Sequence, residues 1–395
     1  MKAKLLFFFL GMILTFQGFA TTYYSQGSVA PNVTANWNTI RGGGGSSPAA
    51  FTAGDVFVIQ NGHSMTTSGT WSVSGTGSKL WIENGGTLTA NHNVTLNSAT
   101  VFQIDNGGTY VQNVVSSMGS NVLSGTEVFG ASSHFIYNFA PSGTSAPSSP
   151  GYGNLTINTS TNGTNLGWAG TITQVQGNFS IQSTGTGTIR HALTAGSPIT
   201  VNVGGNLTLS GTNTNFWLSS GAGTCTLTVA GDVIVSESAN FDLANSSGAG
   251  TLNIGGDFTQ TGGTFLSKTA ISTVSFTGSG TSISSVGTIT PTNINWNITS
   301  SASITLNSPF TVASSRQMVI DGTLATTSTI TSTGTTYVAG TFQINAGGSI
   351  SASPTYTVST CALVYNTGGA YTAGNEWTTG LYPPQNVTIQ NPGPM

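Results

Sequence analysis

Glu83 and Asp105 are the pair whose type and spacing could do chemistry. They hold the same place in two copies of one motif, Ile82-Glu83-Asn84-Gly85-Gly86-Thr87-Leu88 and Ile104-Asp105-Asn106-Gly107-Gly108-Thr109-Tyr110. If each copy is one turn of a coil, the two carboxylates stack one strand spacing apart, roughly 5 Å. That is near the carboxylate separation of a retaining glycosidase. Gln60 fills the same place one copy earlier, in Ile59-Gln60-Asn61-Gly62-His63, so the position asks for a polar turn residue rather than an acid. We read two turn carboxylates beside an Asn84–Asn106 ladder and assign no catalytic residue.

Asp232 and Asp257 raise the question of metal. They occupy equivalent corners of successive repeats, continuing Asn178 and Asn206. Stacked carboxylates could share Ca²⁺, but that ion takes about six to eight oxygens, and the dense Asp pattern of calcium-binding nonapeptide coils is absent. A structural corner ladder is the expectation, with no metal site and no cofactor. His63, His92, His134 and His191 show no metal-ligand spacing, and each is expected to be a polar turn or surface residue. Gly42 to Gly45 lack the Lys-Ser/Thr that follows a phosphate loop. No ligand-binding residue is assigned.

These residues are placed by a repeat. A late copy of the motif is Ile344-Asn345-Ala346-Gly347-Gly348-Ser349-Ile350, and a variant form runs through Val175-Gln176-Gly177-Asn178-Phe179, Val203-Gly204-Gly205-Asn206-Leu207, Val229-Ala230-Gly231-Asp232-Val233 and Ile254-Gly255-Gly256-Asp257-Phe258. Each is strand, tight polar corner, strand. Glycine supplies positive φ without steric cost, and Asn or Asp tolerates the left-handed region and can bond its own backbone. A strand-turn unit returning every 22–28 residues is the signature of a coil stacked on itself. The expected fold is all-β, a right-handed parallel β-helix (β-solenoid) with rungs of about 22–28 residues.

Composition agrees with a coil and excludes other classes. Charged residues make up 4 % of the 395-residue chain, against about a quarter in ordinary soluble proteins. Seven Lys/Arg stand against ten Asp/Glu, and loss of Lys2 and Lys4 with a leader leaves five against ten. No basic stripe exists, so nucleic acid is not an expected partner. Cys225 and Cys361 would lie five or six rungs apart, about 25 Å at the usual strand spacing, too far for a disulfide. Two lone buried thiols are expected.

Taken in order, residues 1–20 read as a secretory signal: a basic start, an apolar run from Leu5 to Phe16, and Gly18-Phe19-Ala20 before a cut after Ala20. Residues 21–53, with Tyr23, Tyr24 and Trp37, read as an N-terminal cap. Residues 54–140 are a first β-helix segment. Residues 141–151, rich in Pro, Ser and Gly, are a linker or lateral loop. Residues 152–395 are a second segment. A longer unit, closing on Tyr382-Pro383-Pro384-Gln385-Asn386-Val387-Thr388-Ile389, breaks off a few residues into its strand, as expected of a chain truncated at its C-terminus. No stretch of the mature chain reads as a membrane span.

The opening around Asn36-Trp37-Asn38, followed by Gly54-Asp55-Val56 and Gly62-His63, resembles the start of large secreted repeat proteins with a parallel β-helix. The unit ending in Asn386-Val387-Thr388-Ile389 is similar to their internal repeats. The resemblance implies export by the type IX secretion route and a cell-surface, adhesin-like role. Such proteins usually end in a C-terminal sorting domain, and none is visible here. The expected function is that of a non-catalytic structural or adhesin-like protein, secreted or at the cell surface, with glycans or other surface components as partners. The alternative is a polysaccharide-active enzyme or glycan-binding module of the same fold. Ice binding through Thr ladders is a third reading, and the uneven repeats count against it.

Overall fold

The computed structural model describes residues 20–114, 121–138, 149, 151–377 and 383–390. The leader expected over 1–20 lies outside them but for Ala20, and the expected linker at 141–151 lies outside but for Ser149 and Gly151.

Alternation of apolar and polar residues builds short strands, and closely spaced corners turn them into a coil. Each turn contributes up to three strands. Ile199–Val203, Leu207–Leu209 and Asn215–Ser219 make one turn, and Cys225–Val229, Val233–Val235 and Asn240–Ala244 make the next. Equivalent strands of successive turns pair in parallel, giving a β-solenoid of about 14 turns. One sheet of fifteen strands runs from Ser64–Thr66 to Asn386–Ile389 and forms the spine. A six-stranded sheet and then a ten-stranded sheet make the second face, and a two-, a six- and a three-stranded sheet make the third.

Rung length ranges more widely than expected. Phe179 pairs with Leu207, 28 residues on, whereas Thr323 pairs with Thr341, only 18 on. The late turns are short because their corners shrink to two residues, as in Asp321-Gly322 between Gln317–Ile320 and Thr323–Thr326. Strand register is nearly untouched by this variation, and shifts appear only at Ile157/Asn158 and Ser279/Thr281 among the described ladders.

The core is the inside of the coil. Inward positions hold Val, Ile, Leu and Phe, each burial of such a side chain being worth about 1.5–3 kcal/mol. Rings continue from turn to turn: Phe216 lies 5.9 Å from Phe241, and Phe241 5.4 Å from Phe265. At the N-terminal end the strand Thr22–Ser25 pairs with Val56–Ile59 in parallel and with Trp37–Asn38 antiparallel. Trp37 is fully buried and stacks on Trp71 at 5.6 Å. The antiparallel partner covers the edge that the first turn would otherwise expose.

Candidate functional site

Glu83 and Asp105 do stand in register, directly after the paired Ile82 and Ile104, but each is held by a different partner. Arg41 reaches across from the N-terminal segment and grips both Glu83 carboxylate oxygens, one at 2.9 Å, while its guanidinium lies 4.5 Å from the Tyr24 ring centroid. The Arg41 hydrogen bond holds the Glu83 carboxyl below its ordinary pKa, against the opposing effect of burial. Asp105 instead accepts a 2.6 Å hydrogen bond from the Gln103 amide. It borders an open depression of about 410 Å³ with Asn106, Val128 and Phe129. The amide of Asn84 packs against Gly107, whose φ of 78° and lack of a side chain leave room for it. The ladder here is thus an Asn-over-Gly stack.

Asp232 and Asp257 belong to a corner ladder whose chemistry is plain in the hydrogen bonds. The Oδ1 atom of each corner residue accepts the backbone N–H of the corner one turn on: Asn154 from Asn178 (2.7 Å), Asn178 from Asn206 (2.9 Å), Asn206 from Asp232 (2.8 Å) and Asp232 from Asp257 (2.8 Å). Asp257 then accepts from Ser282 at 2.7 Å. The side chains therefore serve the neighbouring turn and not their own backbone. Asn and Asp are interchangeable because only one carbonyl-like oxygen is used. A second ladder joins Asn91, Asn113, Asn138 and Asn158 by amide-to-amide bonds of 2.8–3.0 Å. Among the described residues no group of three or more His, Cys, Asp or Glu side chains is gathered to hold a metal.

Three of the four histidines lie at turns or on the surface, and one does not. His63 joins the N-terminal segment to the first turn: its Nδ1 faces the Ser25 hydroxyl at 2.7 Å and the Gly27 N–H at 3.2 Å. Ser25 is buried, and its hydroxyl also accepts the Gln60 N–H, so this Ser–His contact is a tie and not a nucleophile in waiting. His191, expected at the surface, is fully buried. It lies 5.5 Å from Trp168, with Nε2 near the Asn162 amide at 3.2 Å and no partner for Nδ1. Burial pulls its pKa down to about 3, so the ring is neutral. Cys225 and Cys361 are free and buried.

The tryptophans divide by parity. Trp71 and Trp168 point inward and are buried, whereas Trp377 is 40 % exposed. Trp217 alternates with the buried Phe216 and Leu218 and faces outward, with the Arg190 guanidinium 4.1 Å from its ring centroid. Directly above it in the ladder is Asp242, outward by parity yet only 3 % exposed. Its Oδ1 accepts the N–H groups of Ala244 (3.0 Å) and Lys268 (3.2 Å). Burial raises its carboxyl pKa, with those N–H groups and the Lys268 charge acting in the other direction. Arg190, Trp217, Asp242 and Lys268 thus bring two cations, an acid and an aromatic ring to one face of a chain almost free of charge. Sequence reasoning missed this cluster. The 25-residue offset of Trp217 and Asp242, equal to that of the paired Phe216 and Phe241, was the available signal.

No family model, curated protein or solved structure matches the chain. No described helix is long and apolar enough to cross a membrane.

Proposed function

We propose that this β-solenoid is a secreted or cell-surface protein with a structural, adhesin-like role, exported by way of its N-terminal leader and the type IX route. It acts without catalysis, presenting lateral polar faces to glycans or other surface components. The observation that carries this reading is how the polar side chains are used. The outer faces are paved with uncharged Asn, Thr and Ser, while the acids nearest one another serve the coil itself, Glu83 through Arg41 and Asp232 and Asp257 through the corner ladder. Each amide or hydroxyl can exchange a water for a sugar hydroxyl at small net gain, so affinity would come from repetition along the rod.

A second reading has one specific observation in its favour. Asp242, an acid with raised pKa beside an outward tryptophan, has the ingredients of a polysaccharide-processing or glycan-binding site. Binding of the chain to a glycan array, with product analysis on the same polysaccharides, separates the two. Binding without cleavage is expected. Cleavage abolished by Asp242→Asn would replace the adhesive reading with the enzymatic one.

A further inference from the structure

The ten-stranded sheet presents a regular array that the repeat lengths conceal. Its strands Ile199–Val203, Cys225–Val229, Gly250–Ile254, Ser272–Phe276 and Ile294–Ile298 pair one to one, with no register shift between any two. The turns that connect them differ in length, but the extra residues sit in the corners. Consequently Thr200, Thr226, Thr251 and Thr273 fall in a single column, four threonines on four consecutive strands. Two residues along each strand runs a second column of Asn, Thr and Ser that includes Thr228 and Asn253, themselves joined by a 3.2 Å hydrogen bond.

The intervening residues, such as Val201, Leu227 and Leu252, are buried in the core, so the threonine column faces outward with Asn202, Thr228 and Asn253 of the second column, whereas Ser275 further along that column is buried. Neighbouring members of one column are about 4.8 Å apart, and the columns are roughly 6.7 Å apart, twice the rise per residue. Threonine is stiff about χ1 and each strand is held on both sides, so the hydroxyls and methyls form a fixed two-dimensional lattice.

We infer that this face binds ice. No charged residue lies on these five strands, and their one aromatic residue outside Phe276, Trp296, points inward at 2 % exposure. A charged partner has nothing to pair with here, and a sugar chain has no ring to stack on. What fits is a neutral partner that is itself periodic in two dimensions. Water oxygens on the faces of hexagonal ice repeat at distances close to those of the array. The threonine column sets an apolar methyl beside a hydrogen-bonding hydroxyl on each of four consecutive strands. Because the lattice is rigid before contact, little conformational entropy is lost on binding, and many weak contacts add. This function goes beyond the adhesive reading and does not depend on it.

The test is partition of the full chain into slowly grown polycrystalline ice. The chain should be enriched severalfold in the ice over an inert protein of similar size. The double variant Thr226→Lys, Thr251→Lys, which plants two charges in the middle of the column, should fall to the inert level. Thr156→Lys, on the spine sheet, should partition as the parent does. Unchanged circular dichroism spectra would show that all three are folded. Exclusion of the parent from ice overturns the inference, and sedimentation with crystalline cellulose or chitin in that case would assign the array to a polysaccharide lattice. Ice binding that survives the double substitution overturns the placement on this sheet.

Discussion

At the residue scale, the corner ladder and His191 make opposite demands. A corner oxygen is needed because the next turn's N–H has no other acceptor. Asp232→Ala should leave the Asp257 N–H unpaired and lower stability by about 1–2 kcal/mol, whereas Asp232→Asn keeps the oxygen and should be nearly neutral. Thermal melts of the two variants side by side would decide it. His191 is a buried group whose folded pKa, about 3, lies below its unfolded value near 6.5. The unfolded chain therefore binds a proton first as pH falls. Stability present above pH 6.5 is lost progressively between about pH 6.5 and 3, by up to about 4–5 kcal/mol in total. His191→Gln should flatten that part of the stability profile, and an unaltered slope in denaturant titrations across this range would rule His191 out as its source. Glu83 contributes differently. Its partner Arg41 is half exposed, so Glu83→Gln should change stability by no more than about 1 kcal/mol.

At the element scale, a turn of this coil is stable only against its neighbours. Ile104 is 1 % exposed and pairs between Ile82 and Phe129. Ile104→Asp would bury an unpaired charge at a cost of several kcal/mol. In a solenoid such damage spreads to adjacent turns more than to distant ones. Limited proteolysis should therefore cut first within residues 54–138 of the variant, while the turns beyond Asn215 stay protected. Uniform cleavage along the chain would mean that the coil melts as one unit. Corners and strands also divide the variation between them. Corners absorb most of the difference between the 28-residue turn that begins at Phe179 and the 18-residue turn that begins at Thr323, and strands keep the register, because slipping one residue would turn every inward side chain out.

At the scale of the whole molecule, about 14 turns at ~4.8 Å each make a rod near 67 Å long. Its stability rests on stacked apolar residues and continuous ladders. With only 4 % of residues charged, its melting temperature should be nearly the same in low and in molar sodium chloride, since salt screens only what charges contribute. A drop of many degrees in high salt would show that ion pairs such as Arg41–Glu83 carry more than the geometry allows. The same neutrality leaves the outer faces free of long-range steering, so any partner is met through short-range contacts.

The sequence by itself determined the coil. Its repeated corners, inward Val/Ile/Leu/Phe and scarcity of charge admit few other ways to bury apolar surface, and the equivalence of Glu83 with Asp105 and of Asp232 with Asp257 was legible from spacing. Only the tertiary structure decided what those residues touch. Arg41 lies 42 positions from Glu83, and nothing in the local pattern joins them. His191 reads as polar but sits on an inward position of a strand closed over by Trp168. Uneven repeats concealed the Thr200–Thr273 column, because chain distance counts corner residues while lateral register counts only strand residues. Periodicity along the chain reports which face a residue occupies. Contacts between turns depend on how much chain each corner uses, and that is fixed when the coil closes on itself.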